Sequence, residues 1–199
     1  MASPTYSCSI GFMNAPFDIG ITWFDVSSDL ISFSIRRGRQ WELNRMEAGT
    51  SIIRLRNLHL DYWPTNTSGT YTPYVQPWKR IKISATWNAI TYDLFVGYIE
   101  SWQPTFVLKP IKAPVMDLAC SDGIKHFSVL LLNDVVGYAQ EASGVRIGNV
   151  LSTMGWPAST RNLDTGQTTL QVTGALANAN AMAHILKVQD TELGILFSS

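Results

Sequence analysis

The sequence predicts an α+β chain that is mainly β, with antiparallel strands through its first half and helical additions in its C-terminal half. Three observations carry that expectation. Residues 30–98 repeat runs of alternating apolar and polar side chains, the period-two signature of strands with one buried face. After Pro104, Pro110 and Pro114 the apolar spacing shifts to threes and fours, bracketed by helix-start and helix-stop residues. With 199 residues, the chain can bury roughly 70% of its unfolded surface without disulfides or metals as staples. A boundary is therefore expected in the proline-rich stretch 103–114, giving a β domain over 1–108 and an α+β domain with two or three helices over 109–199.

In chain order, residues 30–36 set Ile31, Phe33 and Ile35 against Ser32, Ser34 and Arg36, and residues 50–58 set Ile53 and Leu55 against Arg54 and Arg56. The clearest pair is 79–87 followed by 90–98. There Ile81, Ile83, Ala85 and Trp87 alternate with Arg80, Lys82, Ser84 and Thr86, then Ile90, Tyr92, Leu94 and Val96 resume, with Asn88-Ala89 closing a hairpin. Residues 62–78 crowd Pro64, Pro73, Pro77 and Gly69 among threonines and aromatic rings, and read as an ordered loop docked by those rings.

Residues 115–120 form a short apolar strand, and Ser121-Asp122 offers cap oxygens to a helix with Ile124, Phe127, Ser128 and Leu131 at helical spacing. The strongest helix is 143–154, with Ser143 as cap, Ile147, Val150, Leu151 and Met154 on one stripe, then Gly155 and Pro157 as stop. A turn leads into 168–172. Residues 175–190 form a further helix with a stripe of Leu176, Ala179, Ala183 and Leu186, and 193–197 return as a strand.

Composition narrows function. The chain is 46% apolar and 11% aromatic but only 15% charged, against roughly 25% charged in ordinary soluble domains. Fifteen Lys plus Arg balance fifteen Asp plus Glu, which excludes a polycationic nucleic-acid binder. So few charges require a neutral polar surface or one partly covered by other subunits. Residues 1–20 carry no basic side chain and are interrupted by Pro4, Asn14, Pro16 and Asp18, so a signal-peptide core is not expected. The longest apolar run, 127–132, is far short of the roughly 18 residues of a membrane span.

Nothing in the pattern points to chemistry, and the chain is expected not to be an enzyme and to need no metal or cofactor. Cys8 and Cys120 lack a neighbouring ligand and read as buried reduced thiols. His59, His126 and His184 stand without a nucleophile or carboxylate at a recognisable spacing. Gly137, Gly144 and Gly148 fit no phosphate-cradling loop. Asp164-Thr165-Gly166 is the aspartic-protease triplet, but it occurs once, after Arg161-Asn162 and before Gln167, and reads as a turn.

Two residue populations remain. Arg36, Arg37 and Arg39 flank Gly38 at a strand end, as a solvated turn, an inter-subunit contact or, less well supported by the neutral charge, a phosphate site. Trp41, Trp63 and Trp78 fall in expected loops, where they could anchor the core, stack on sugars or anchor a subunit contact. The candidate interface set is Arg36, Arg37, Arg39, Trp41, Arg45, Trp63 and Trp78.

The order of several motifs adds to this. Ile35-Arg36-Arg37-Gly38-Arg39, Glu42-Leu43-Asn44-Arg45 and Ala48-Gly49-Thr50 leading to Leu55-Arg56-Asn57 resemble the opening of minor tail and baseplate-hub proteins of long-tailed bacteriophages. Trp63-Pro64-Thr65-Asn66-Thr67, Gly97-Tyr98-Ile99-Glu100-Ser101-Trp102, Cys120-Ser121-Asp122, Gly155-Trp156-Pro157, Leu163-Asp164-Thr165-Gly166 and Asp190-Thr191-Glu192-Leu193-Gly194 continue the resemblance over most of 20–197. It implies small β-barrel domains with helical additions, the first a tail-tube-like barrel over 1–108. It also implies a structural virion protein in a tail-tip ring, typically a trimer, with a hexamer as the alternative. The implied partners are other tail proteins, tube or distal tail on one side and tip or fibre on the other, with DNA passing through the lumen. Members commonly run past the equivalent of residues 193–197, so the chain is expected to be either the front of a longer hub protein or a compact variant.

Overall fold

The computed structural model describes residues 3–37, 48–107, 113–133, 135–194 and 196. Contacts divide the chain into two compact units, with the division after the sheet falling between Gly123 and Ile124. The sequence places the boundary earlier, at 108/109, because prolines crowd that stretch. The strand beyond them nevertheless pairs on both sides within the first unit.

That unit is one antiparallel sheet. Its strands are β1 (Thr5–Gly11), β2 (Phe24–Asp25), β3 (Leu30–Arg36), β4 (Thr50–Arg56), β5 (Arg80–Trp87), β6 (Ile90–Val107) and β7 (Ala113–Ser121), in spatial order β2-β1-β5-β6-β7-β4-β3. The two edges, β2 and β3, are joined by Val26 and a single 3-10 turn, Ser27–Asp29. Because each residue spans at most about 3.5 Å, so short a link brings opposite edges of a seven-stranded sheet close together, and the sheet curls into a half-barrel. Across the resulting seam the rings of Tyr6 on β1 and Phe33 on β3 meet edge-on with centroids 5.2 Å apart. Ser27 Oγ accepts the Cys8 backbone N–H at 2.9 Å on the same seam.

The alternation read from the sequence places Ile53, Leu55, Ile81 and Ile83 in the interior, but in β6 the register shift at Leu94 buries Phe95 in place of the expected Ile90, Tyr92, Leu94 and Val96 face. Cys8, Ile10, Ile53, Leu55, Ile81, Ile83, Phe95, Ile99, Met116, Leu118 and Cys120 are buried on the concave face. The loop after β4 closes one end of the core with rings, as expected. Tyr62 is buried, Phe12 stacks on Tyr71 with centroids 4.0 Å apart, and Trp102 Nε1 donates to the Gln76 carbonyl at 2.9 Å. Tyr62 Oη donates to Asp29 at 2.7 Å, tying the loop back to the 3-10 turn.

The β5–β6 turn is the expected Asn88-Ala89, both at positive φ, 51° and 62°, so it is a tight turn despite lacking glycine. Two further details differ from the sequence reading. β6 does not stop near Tyr98 but runs on to Val107 through Pro104, paired with β7. Beyond Tyr98 it no longer pairs with β5, and a proline whose missing N–H lies on an unpartnered side costs no ladder bond. Trp87 has the parity of the core but is 55% exposed, because the core ends at Ala85.

The second unit contains α1 (Gly123–Val129), β8 (Leu131–Leu132), β9 (Glu141–Ala142), α2 (Ser143–Thr153), β10 (Thr169–Leu170), β11 (Ala179–Asn180) and α3 (Ala181–Glu192). Its ladders, β9–β10 and β8–β11, are two residues long. α2 matches the expected helix and stops at Gly155, whose φ is 76°, with Trp156 N–H returning to the Leu151 carbonyl at 2.9 Å. Its cap is Ala142 and not Ser143. α3 begins six residues later than expected from 175–190. Asn180 caps it by accepting from the Ala183 N–H at 2.9 Å, so Leu176 and Ala179 lie before the helix. The buried face is Ala181, Met182, Ile185 and Val188. Leu193, expected to open a strand, is the left-handed C-cap of α3 with φ 54°. Residues 195 and 197 of that expected strand lie outside the described residues.

Candidate functional site

The arginine cluster sits where β3 ends. Arg36 is exposed opposite Thr50 of β4. Arg37 Nη1 donates to the Leu94 carbonyl at 2.8 Å. Leu94 is left out of the β5–β6 pairing by the register shift between Ile83 and Ser84, so its carbonyl is open to a side-chain donor. Beside Arg37, Asp122 and Gly49 bond reciprocally, N–H to carboxylate at 2.8 Å and N–H to carbonyl at 2.9 Å. A Cβ on Gly49 would press on Asp122 Oδ2, so the residue must stay small. Arg37 therefore has a structural duty in addition to any contact it makes outward. Arg39, Trp41 and Arg45 lie outside the described residues.

The two described loop tryptophans are held apart. Trp63 rests by Phe106 at 6.0 Å between ring centroids, and Trp78 by Tyr98 at 6.2 Å. Tyr98 and Phe106 stand at opposite ends of a β6 stretch roughly 25 Å long. Trp63 and Trp78 thus do not face each other across one sugar groove. Both are half-buried. Trp78 also takes positive φ, 65°, and its N–H donates to the Ile99 carbonyl at 2.6 Å, which fixes the loop exit.

Burial favours the neutral form of four interior ionisable side chains. Burial pushes the Cys8 thiol up to about 12, with Asp25 adding to the effect, and raises Cys120 well above the usual thiol value. Both are therefore thiols rather than thiolates at neutral pH. Burial lowers His126, and burial with the Arg146 and Lys187 charges lowers His184. Among the described residues, no three His, Cys, Asp or Glu side chains converge to hold a metal ion.

Asp164-Thr165-Gly166 is a turn laid against the start of α2. Gly144 N–H donates to the Thr165 carbonyl at 2.9 Å, and a Cβ on Gly144 would collide with the Asp164 carbonyl. The Asp164 side chain faces solvent. The same turn receives Glu192 from the end of α3, whose Oε1 accepts the Thr168 N–H at 2.5 Å.

Sequence reasoning missed two features. Arg146, on α2, is 2% exposed and joins Glu141 Oε1 at 2.5 Å, the Ala139 carbonyl at 2.8 Å and the Gln171 carbonyl at 3.0 Å, under the Tyr138 ring. An arginine on a helix gives no sequence signal of burial. The other is a group of exposed apolar side chains at the hairpin tip, Trp87, Ile90 and Tyr92, beside Tyr6. Their alternation was visible, but where the core would end was not.

No protein-family model and no curated protein matches the sequence. The fold is similar to that of the 43 kDa tail protein of prophage MuSo2 from Shewanella oneidensis, with a TM-score of 0.50 at 11% identity over 96% of this chain and 50% of that one. A tail protein from Neisseria meningitidis MC58 aligns with a TM-score of 0.49 at 9% identity, over 96% of this chain and 46% of that one. The chain thus spans about half the length of the solved proteins it matches.

Proposed function

We propose that this chain is a structural virion protein that forms a ring at the tail tip, the baseplate hub, of a long-tailed bacteriophage and links the tail tube to host-binding or tip components. The observation that carries the reading is the likeness of nearly the whole chain, 96% of it, to the Shewanella prophage tail protein. The curled antiparallel sheet and the low charge support it, since a surface shared with neighbours needs few charges of its own. The ring would contain three copies; six, as in a distal-tail-type ring, is the alternative. Its contacts would involve Arg36, Arg37, Arg39, Trp41, Arg45, Trp63 and Trp78. A neutral lumen lets DNA slide where a basic one would hold it. The ring acts as a scaffold and catalyses nothing.

Light scattering of the purified chain, alone and with the adjoining tail proteins, tests this. The expected mass is a threefold or sixfold multiple of 22.1 kDa with a ring in negative-stain images. A strict monomer under every condition, joined to no tail particle, would overturn the reading.

A further inference from the structure

We propose that His184 of α3 is an acid-sensitive latch of the second unit. Neutral, its imidazole packs α3 against Tyr138; protonated, it sets a further cation beside Arg146 and loosens that packing.

The segments around the ring define its place. Residues 135–142 and 169–176 run antiparallel as a ribbon. Val135 and Leu176 exchange backbone hydrogen bonds at 3.3 and 2.8 Å, the Thr173 N–H donates to the Tyr138 carbonyl at 3.0 Å, and β9 pairs with β10. Between these ties the Arg146 guanidinium bridges the Ala139 and Gln171 carbonyls. Tyr138, 8% exposed, is where this ribbon meets side chains of both long helices. The Arg146 guanidinium of α2 lies 5.2 Å from its ring centroid, and the His184 ring of α3 lies 5.7 Å away, tilted by 36°. His184 Nε2 is enclosed there and meets no hydrogen-bond partner among the described residues.

The charges around the imidazole all disfavour a proton on it. Those acting on it are cationic, Arg146 from α2 and Lys187 from its own helix. Glu141 of β9, the nearby carboxylate, has both oxygens engaged, Oε1 by Arg146 at 2.5 Å and Oε2 by Asn149 at 2.6 Å. The other titratable neighbour is the Tyr138 phenol, whose hydroxyl lies 3.4 Å from Thr153 Oγ1. An imidazolium would thus hold a desolvated Nε2–H near two cations with no carboxylate to answer it. Burial first, then those charges, hold the ring below the ordinary imidazole value. A group depressed on folding stabilises the fold above its unfolded value, here about 6.5, and that contribution is lost as pH falls through the lower folded value. The latch acts within one protomer and does not depend on assembly into a ring.

Amide exchange of the intact chain between pH 7.5 and 5.5, normalised to intrinsic rates, tests this. Exchange at 138–142 and 182–188 should rise several-fold, with about tenfold as the ceiling one pH unit below the ordinary imidazole value, while β5 and β6 keep their neutral-pH rates. His184→Gln should remove the rise, and His126→Gln on α1 should leave it intact. No rise in the wild type would overturn the proposal. So would a rise that survives His184→Gln or disappears in His126→Gln, either of which gives the acid response to another group. The wild-type ring also reports without substitution. In an NMR titration the His184 Cε1 proton should move with a midpoint below about 6.5; a midpoint at or above that value would make protonation neutral or stabilising and would overturn the latch.

Discussion

In the sheet unit, long ladders carry the chain and the side chains that decide stability are apolar. In the helical unit the ladders are two residues long, and buried polar ties do much of the same work. Arg146 illustrates the second strategy. Its guanidinium holds Glu141 and two carbonyls from separate segments, 139 and 171, that no strand of useful length could join. Asn149 completes the tie by donating to Glu141 Oε2 at 2.6 Å. Apolar burial is non-directional and tolerates small shifts, whereas a fork of charged hydrogen bonds fixes geometry and fails abruptly when one partner goes. A unit whose ladders are this short gains definition from such ties at the risk of fragility.

That contrast can be broken or sharpened by substitution. Phe12→Ala removes a ring that is 1% exposed and stacked on Tyr71, and should cost about 3–5 kcal/mol in urea unfolding. Amide exchange should accelerate in β1 and β5. Arg146→Ala should cost about 3 kcal/mol, because it strands a mostly buried carboxylate and two carbonyls. Its exchange signature should be confined to α2 and residues 138–142, and a change of under about 1 kcal/mol would erase the contrast drawn above.

Acid gives a third, smaller probe. The Thr168 N–H first, then the Ser143 hydroxyl and the Gln167 N–H, hold the Glu192 carboxyl below the ordinary range. A carboxyl depressed on folding stabilises the fold above its unfolded value of about 4.3, and that contribution is lost as pH falls through the lower folded value. Exchange at Thr168 should therefore rise in that window, and Glu192→Gln should abolish the pH dependence. The smallest effect is expected on the outer face of the sheet. Asp117 is held low chiefly by its hydrogen bonds from Arg54, yet Arg54 is 40% exposed, so Arg54→Ala should cost no more than about 1 kcal/mol.

The sheet was largely legible in the sequence and the helical unit only in part, for the same reason. Period-two alternation in 30–36, 50–58 and 79–87 reports one buried face, and Phe33, Ile35, Ile53, Leu55, Ile81 and Ile83 do face the core, whereas in 90–98 the bulge at Leu94 hands the core position to Phe95, and Ile90 and Tyr92 are exposed. The start of α3 was misplaced because alanines fit a helix anywhere, while the decisive signal was a cap at Asn180 that depends on where the chain turns. Arg146 was unreadable, since its burial follows from partners distant in sequence. Of the candidate interface, the strand-end position of Arg36 and Arg37 was legible. The hydrogen bond from Arg37 to Leu94 was not, because it depends on a bulge in a strand with ordinary alternation.

The short link between β2 and β3 has a consequence for how this unit is made. Although its ends are neighbours in sequence, β1 has to wait for β5, as Thr5 pairs with Thr86, and β4 has to wait for β7, as Thr50 pairs with Ser121. On a ribosome, the first 79 residues can form only the β1–β2 and β3–β4 pairs. The inner strands arrive last, so β1 waits for its inner partner through the 68 residues before β5 and β4 through the 56 before β7. Such high contact order slows closure, and the emerging chain is most exposed to aggregation just before residues 113–121 leave the exit tunnel.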